Sequence, residues 1–195
     1  MALESDGSKR NHMHERSLIV VGTAVAYGVL FVLNDLLFGS LRFSETVNLI
    51  YLPSGLRLAF VLIFVEWGAV GIALASMGVS SFMDFNGGFV SAIGSGVISG
   101  FAPYLARYAC HHELGMDLNL KNLTTRKLIA VSVVFAVMSA SMHQMFYTWR
   151  GHTKDFVTDM AVMALGDWVG TIIMLYLTKL VLSSLRRKYL RNGLF

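Results

Sequence analysis

The residues of this sequence most able to do chemistry are charged or hydrogen-bonding side chains inside or beside long apolar stretches. Asp167 lies deepest in such a stretch, and Arg57 comes just after a Pro-Ser-Gly break. The other candidates are Asp35, His143 and Asp159. An ionisable group in hydrocarbon costs roughly 2.5–3.5 kcal/mol on insertion scales, so these side chains should face protein or a water-filled cavity. The simplest arrangement is one polar pocket that opens outward.

Arg57 and Asp167 allow two interpretations. As ligand-binding groups, Arg57 could hold an anion with its planar guanidinium beside a helix N-terminus, and Asp167 could coordinate a ligand or sense protons. As a structural pair, Arg57 with Asp167 or with Asp35 would lock helices together. For Asp35, simple solvation at the membrane interface is a further explanation.

Histidine patterns do not indicate a metal or haem site. His143 could be a ligand, but a lone histidine in a span more commonly hydrogen-bonds within the protein. His111 and His112 are adjacent, so they do not share a helix face, and no second pair completes a tetrahedral set. The sequence has no nucleophile elbow, phosphate loop or His-Glu-x-x-His pattern. We therefore expect no catalytic residues, no cofactor and no bound metal.

The composition places these residues in a membrane protein. Of 195 residues, 55% are apolar and only 14% are charged, with a mean hydropathy of +0.59. Soluble domains carry about 25% charged residues, so a soluble enzyme is excluded, and disorder is excluded by the high hydrophobicity. The lone Cys110 excludes a disulfide scaffold. The net charge of +4 does not predict nucleic-acid binding, because membrane proteins collect basic residues on one side.

The apolar stretches predict an all-α, polytopic bundle of about six transmembrane helices. The first stretch is long enough to cross a bilayer and is interpreted as a retained helix rather than a signal peptide. The second and third are short and flank Glu66-Trp67. We prefer a hairpin there, because one long helix would bury Glu66. The six stretches are Ser17–Phe38, Leu56–Val65, Gly68–Phe82, Phe89–Ala109, Lys127–Thr148 and Val157–Leu182.

The segments between these stretches are polar or rich in small residues. Residues 39–52 are too polar to span and could be interfacial or re-entrant. Met83–Gly88 is a predicted turn and Cys110–Lys127 a predicted polar loop. The predicted helix-packing positions, where small residues allow close approach or a Pro or Trp marks a helix end, are Pro53, Gly55, Trp67, Gly96, Gly100, Gly166 and Gly170.

Lysine and arginine counts predict the orientation. With six spans, 12 of the 16 basic residues lie on the side that holds both termini, so both termini are expected in the cytoplasm. The chain then divides into a cytoplasmic polar tail (1–16), a transmembrane bundle (17–185) and a basic cytoplasmic tail (186–195).

Two stretches resemble a known family. They are Tyr51-Leu52-Pro53-Ser54-Gly55-Leu56-Arg57-Leu58-Ala59, followed by a Glu66-Trp67-Gly68 turn, and Ala164-Leu165-Gly166-Asp167-Trp168-Val169-Gly170. Together they resemble the membrane-associated sensor (MASE) domain of bacterial histidine kinases and diguanylate cyclases, over about Asn48 to Leu182. The resemblance implies a multi-pass bacterial inner-membrane protein with a sensory or ligand-binding role. It directs functional interest to Pro53, Gly55, Trp67, Gly166, Asp167 and Gly170.

The chain is shorter than the typical domain of this family, and no kinase or cyclase sequence is visible. We therefore expect a non-enzymatic sensor in the lipid bilayer that binds a small molecule. It would signal through a membrane or cytoplasmic protein partner, or as a homo-oligomer. The alternatives are the substrate-binding membrane subunit of an uptake transporter and an accessory or scaffold subunit of a larger membrane complex.

Overall fold

Long helices carry most of the chain in the computed structural model. It describes the backbone of residues 2–82 and 88–191 and the side chains of residues 12–82 and 88–180. The elements in chain order are α1 (Ala2–Phe38), a 3-10 turn (Gly39–Leu41), β1 (Arg42–Ser44), β2 (Val47–Asn48), α2 (Pro53–Phe82), α3 (Gly88–Leu114), α4 (Thr125–Trp149) and α5 (Phe156–Arg191). Among the described residues, five helices are long and apolar enough to cross a membrane. The prediction of an all-α, multi-pass membrane bundle is confirmed, with five long helices where about six were predicted.

The difference in number arises at α2, which is continuous but folded back on itself. Val65 lies inside it with φ 52° and ψ −119°, outside the helical region. Arg57, before this point, and Ser76, after it, both hydrogen-bond to Ser99 of α3. In a straight helix those two residues would be about 28 Å apart, at ~1.5 Å per residue. The two arms of α2 therefore form the hairpin predicted around Glu66-Trp67, and Glu66 is exposed.

The first arm of α2 is the centre of the bundle. It begins at Pro53, where a missing N–H has no cost. Leu58 and Leu62 belong to a buried cluster that includes Ala106 of α3 and Phe135 of α4. On the side towards α5, a Cβ at Gly55 would lie 2.5 Å from the Met174 side chain, so only glycine allows this approach.

The second arm of α2 packs against α1 and α3. A Cβ at Gly96 would lie 2.2 Å from the Met77 side chain, and one at Gly100 would lie 2.4 Å from the Ala69 carbonyl oxygen. The arm begins beside Trp67, whose ring lies 5.1 Å from the Arg16 guanidinium of α1. The predicted small-residue face of α3 is thus the surface on which the hairpin of α2 rests.

The segment between α1 and α2 re-enters the bundle. β1 and β2 pair antiparallel, and the chain then continues in extended form along α5. A Cβ at Gly166 would lie 2.2 Å from the Asn48 carbonyl oxygen, and one at Gly170 would lie 2.0 Å from that of Tyr51. Gly166 is ten residues into α5, about 15 Å along its axis. The close partner of the Gly-x-x-x-Gly pair is therefore this extended backbone.

Several boundaries differ from those predicted. α1 begins at Ala2, so the polar residues 2–16 extend the first helix, and residues 110–114 extend α3 instead of starting a loop. Hydropathy detects only the apolar part of a helix, whereas backbone hydrogen bonds continue into water. Residues 83–87 of the predicted turn and residues 192–195 of the predicted basic tail lie outside the described residues. The backbone of α5 is helical up to Arg191.

Candidate functional site

A polar cavity of about 320 Å³ lies among α1, the re-entrant segment and the helices α2–α5. Four of the five predicted site residues line it: Arg57, Asp167, Asp35 and His143. The exposed residues Arg42 and Glu45 line its mouth, beside the β-hairpin. Asp159 is an exception. It is buried near the start of α5 but is not among the lining residues, because the residues of α5 that face the cavity are Met163 and Asp167.

One face of α3 presents a row of hydroxyl groups to this cavity. Ser91, Ser95 and Ser99 are spaced by four residues, so they lie on the same side of the helix. Ser91 accepts a hydrogen bond from Arg150 Nε at 3.2 Å, and Ser95 contacts the Tyr147 hydroxyl at 3.5 Å. The row therefore provides polar contacts from the outer part of the cavity to its floor.

Arg57 forms part of the floor and is only 1% exposed. Its Nε donates to the Ser99 carbonyl oxygen at 3.0 Å, and its Nη2 donates to Ser139 Oγ at 3.2 Å. The guanidinium lies 5.3 Å from the centre of the Phe135 ring. The third nitrogen, Nη1, has no hydrogen-bond partner among the described residues, so it can donate to a molecule in the cavity.

Asp167 faces the same region from α5 and is also 1% exposed. Its Oδ2 atom is buried without a hydrogen-bond partner in the described part of the chain. Ser139, which bonds Arg57, is also beside the Asp167 carboxylate, and the guanidinium is close enough to act on that carboxylate electrostatically. The two charged groups are thus close neighbours on the cavity wall.

The predicted ion pairs of Arg57 are not formed in the described structure. Salt bridges within 4.0 Å join Arg42 to Asp35 and His12 to Glu15, and neither includes Arg57. Asp35 is neutralised at the mouth by Arg42 of β1. The sequence could not indicate this pairing, because it depends on the β-hairpin folding back over the end of α1.

His143 is held by the protein through both ring nitrogens. Nδ1 lies 2.8 Å from the Ser139 carbonyl oxygen, and Nε2 lies 3.4 Å from Ser99 Oγ. The carbonyl can only accept, so the hydrogen-bond network assigns the proton to Nδ1. Nε2 then accepts from Ser99, whose oxygen accepts from Ser76. Within the described residues, no group of three or more His, Cys, Asp or Glu side chains could hold a metal ion.

Several important residues are neutral and were not singled out from the sequence. Ser139 lies beside the two charges, and the hydroxyls of Tyr27 and Tyr51 are 2.8 Å apart in the same cavity. Such residues are common in membrane helices, so their type alone carries no signal. The spacing of four along Ser91, Ser95 and Ser99 was visible, but it is equally typical of helix packing.

Comparison with known families agrees with this architecture. The MASE1 family matches residues 18–194, nearly the whole chain. No curated protein and no solved structure matches the chain. The match includes both stretches that suggested a membrane-associated sensor, the start of α2 and the Gly-Asp segment of α5. The chain therefore belongs to the MASE1 family of membrane-associated sensory domains.

Proposed function

We propose that this domain is a non-enzymatic sensor of the bacterial inner membrane that binds a small polar molecule in the cavity and signals through a protein partner. One observation carries the proposal. Arg57 and Asp167 both line the cavity; Asp167 Oδ2 is buried without a hydrogen-bond partner among the described residues, and the hydrogen bonds of Arg57 within the described residues use Nε and Nη2 and leave Nη1 unused. Buried polar groups are normally satisfied, and an unsatisfied one costs about 1–3 kcal/mol. A bound ligand would satisfy both.

The geometry does not favour a purely structural role for these charges. A pair that only holds helices together gains most when the two groups are in direct contact and fully hydrogen-bonded. Among the described residues Arg57 and Asp167 form no salt bridge with each other, Arg57 bonds Ser139 instead, and each keeps an unused atom. A ligand that contacts both Arg57 and Asp167 would fit this arrangement.

α5 is the element that we expect to transmit occupancy of the cavity. Asp167 lies on it between Gly166 and Gly170, which hold the helix against the re-entrant segment. Tyr51 of that segment lines the cavity and donates its backbone N–H to the Gly166 carbonyl oxygen at 3.2 Å. A ligand that contacts both Asp167 and Tyr51 would change the position of α5 relative to the bundle. The helix continues eleven residues beyond Leu180 to Arg191, about 16 Å further.

The first test is a native purification followed by analysis of small molecules released on denaturation. We expect a polar molecule in stoichiometric amount from the wild type and its loss from Ser95→Leu, which fills the cavity wall. Ser81→Leu is the matched control, because Ser81 is exposed at the end of α2 and does not line the cavity. Equal recovery from both variants would reject the cavity as the binding site.

The second test measures α5 directly. Spin labels at Arg126→Cys and Lys179→Cys, both exposed positions on α4 and α5, report the distance between these helices before and after the native ligand is removed. We expect a shift in this distance for the wild type and none for Ser95→Leu. Ligand capture with no change in α5 would favour the uptake-subunit alternative.

A further inference from the structure

The charges at the cavity floor define the kind of ligand that it can hold, provided that the cavity is a ligand site as proposed above. Arg57 offers an unused cationic donor and Asp167 an unused anionic acceptor. Both side chains are 1% exposed, so bulk water solvates neither of them well. Asp35 and Arg42 pair at the mouth, where Glu45 also lies, whereas Arg57 and an ionised Asp167 place one positive and one negative charge at the floor.

A site of this kind discriminates by the charge of the ligand. A simple anion would satisfy Arg57 but place a second negative charge near Asp167, and a simple cation would do the reverse at Arg57. Burying an unbalanced charge in a low-dielectric site is strongly unfavourable. A ligand that carries one positive and one negative group satisfies both side chains and keeps the site neutral.

The separation of the two side chains limits the distance between those groups. Arg57 bonds Ser139 at 3.2 Å, Ser139 and the guanidinium both act on the Asp167 carboxylate, and Arg57 and Asp167 line the same cavity, so the two charged groups lie close together. An ammonium and a carboxylate held between them must be only a few bonds apart. This is the spacing in an α-amino acid, whose two groups share one carbon atom.

The rest of the cavity agrees with a ligand of that size. Its volume of about 320 Å³ is at the small end of the range of roughly 300–1,000 Å³ for small-molecule sites. Tyr27, Tyr51 and Tyr147 line the cavity and carry hydroxyls, and Phe31 and Met163 add apolar lining for a side chain. The aromatic faces also favour an ammonium group.

We propose that the cavity binds a free α-amino acid, with its carboxylate on Arg57 Nη1 and its ammonium group on Asp167 Oδ2.

The test uses the purified, detergent-solubilised protein after removal of bound molecules. The melting temperature is measured with each of the twenty common L-amino acids. The amino acid that raises the melting temperature most is then compared with the carboxylic acid that lacks its amine and with the amine that lacks its carboxylate. We expect the intact amino acid to bind at least tenfold more tightly than either analogue. Asp167→Asn should remove that preference over the carboxylic acid, and Asp117→Asn, in the loop after α3, is the matched control.

Two outcomes would overturn the assignment without rejecting the sensor. They are equal binding of the acid that lacks the amine, and recovery of a molecule with a single type of charge from the native protein. If none of the twenty amino acids raises the melting temperature, the amino-acid class is rejected as well. Failure of the proposed sensor function gives a different result: no molecule would be recovered from the native protein, and the α4–α5 distance would not change.

Discussion

Replacement of Gly170 by alanine should destabilise the domain by separating α5 from the re-entrant segment. The new Cβ would lie 2.0 Å from the Tyr51 carbonyl oxygen and 2.4 Å from the Tyr51 carbonyl carbon. Both are backbone atoms, so no side-chain rotation relieves the contact, and the two elements must move apart by about 1 Å to restore normal van der Waals separation. The same movement weakens the hydrogen bond from Tyr51 N–H to the Gly166 carbonyl oxygen.

The expected magnitude follows from two opposing effects. Overpacking by one methyl group costs about 1–3 kcal/mol, and a clash with backbone belongs at the upper end. Alanine recovers up to about 1 kcal/mol of helix propensity relative to glycine. We therefore expect Gly170→Ala to lower the free energy of unfolding by about 2 kcal/mol. Gly28→Ala in α1 is the matched control, because nothing lies within 4 Å of its added Cβ, and it should be neutral or slightly stabilising.

The assay is unfolding by SDS titration in mixed micelles, followed by circular dichroism for the wild type and both variants. Gly170→Ala should also bind ligand more weakly than Gly28→Ala, because Tyr51 lines the cavity. If Gly170→Ala unfolds within about 0.5 kcal/mol of the wild type, which is typical of an uninvolved surface site, the close packing of this segment on α5 is refuted.

Three further predictions concern other contacts. Asn34→Ala should destabilise the domain by about 1–3 kcal/mol in SDS titration, because its Oδ1 accepts from a buried backbone N–H at 2.8 Å; a free energy of unfolding equal to that of the wild type would contradict this. Asp155 accepts hydrogen bonds from Thr158 and other groups at the start of α5, which hold its pKa below the ordinary value of 3.8. Its contribution is therefore fully present at pH 7, well above the ordinary pKa, and is lost as the pH falls through the lowered pKa, so the melting temperatures of the wild type and Asp155→Ala should differ at pH 7 and approach each other as the pH falls below 3.8; a constant difference would contradict this. A double-mutant cycle of Arg16→Gln and Trp67→Ala should give a coupling energy of about 0.5–1 kcal/mol, and a value near zero would remove the cation–π contact as a stabilising feature.

The predicted pocket and the observed cavity agree in their charged residues for a physical reason. Arg57 and Asp167 are charged groups in apolar surroundings, and such groups must be solvated by protein or by a cavity wherever they lie. The free-energy cost of leaving a charge in hydrocarbon is enough to predict that these groups cluster, whichever helices pair. The position of Asp159 could not be predicted in this way, because Asp159 lies on the same side of α5 as Met163, and only the packing around the start of α5 decides whether the cavity extends that far.

The hairpin of α2 shows what a local pattern can indicate. Two apolar runs too short for separate ordinary spans, with Glu66-Trp67 between them, required a turn to keep the carboxylate in water. The turn itself is a single non-helical residue, Val65. Valine has no intrinsic preference for a positive φ, so its position had no signature in the sequence.

Composition and hydrophobic patterning by themselves determined that this chain is a helical, multi-pass membrane domain, and two short stretches of sequence indicated its family. These properties depend on transfer free energies and on local motifs, which are encoded residue by residue. Only the tertiary structure decided that Arg57 bonds Ser139 beside Asp167, that Arg42 pairs with Asp35, and that the re-entrant segment lies on Gly166 and Gly170. The packing of the helices and the fold of the segment between α1 and α2 bring these residues together, and neither can be read from local sequence.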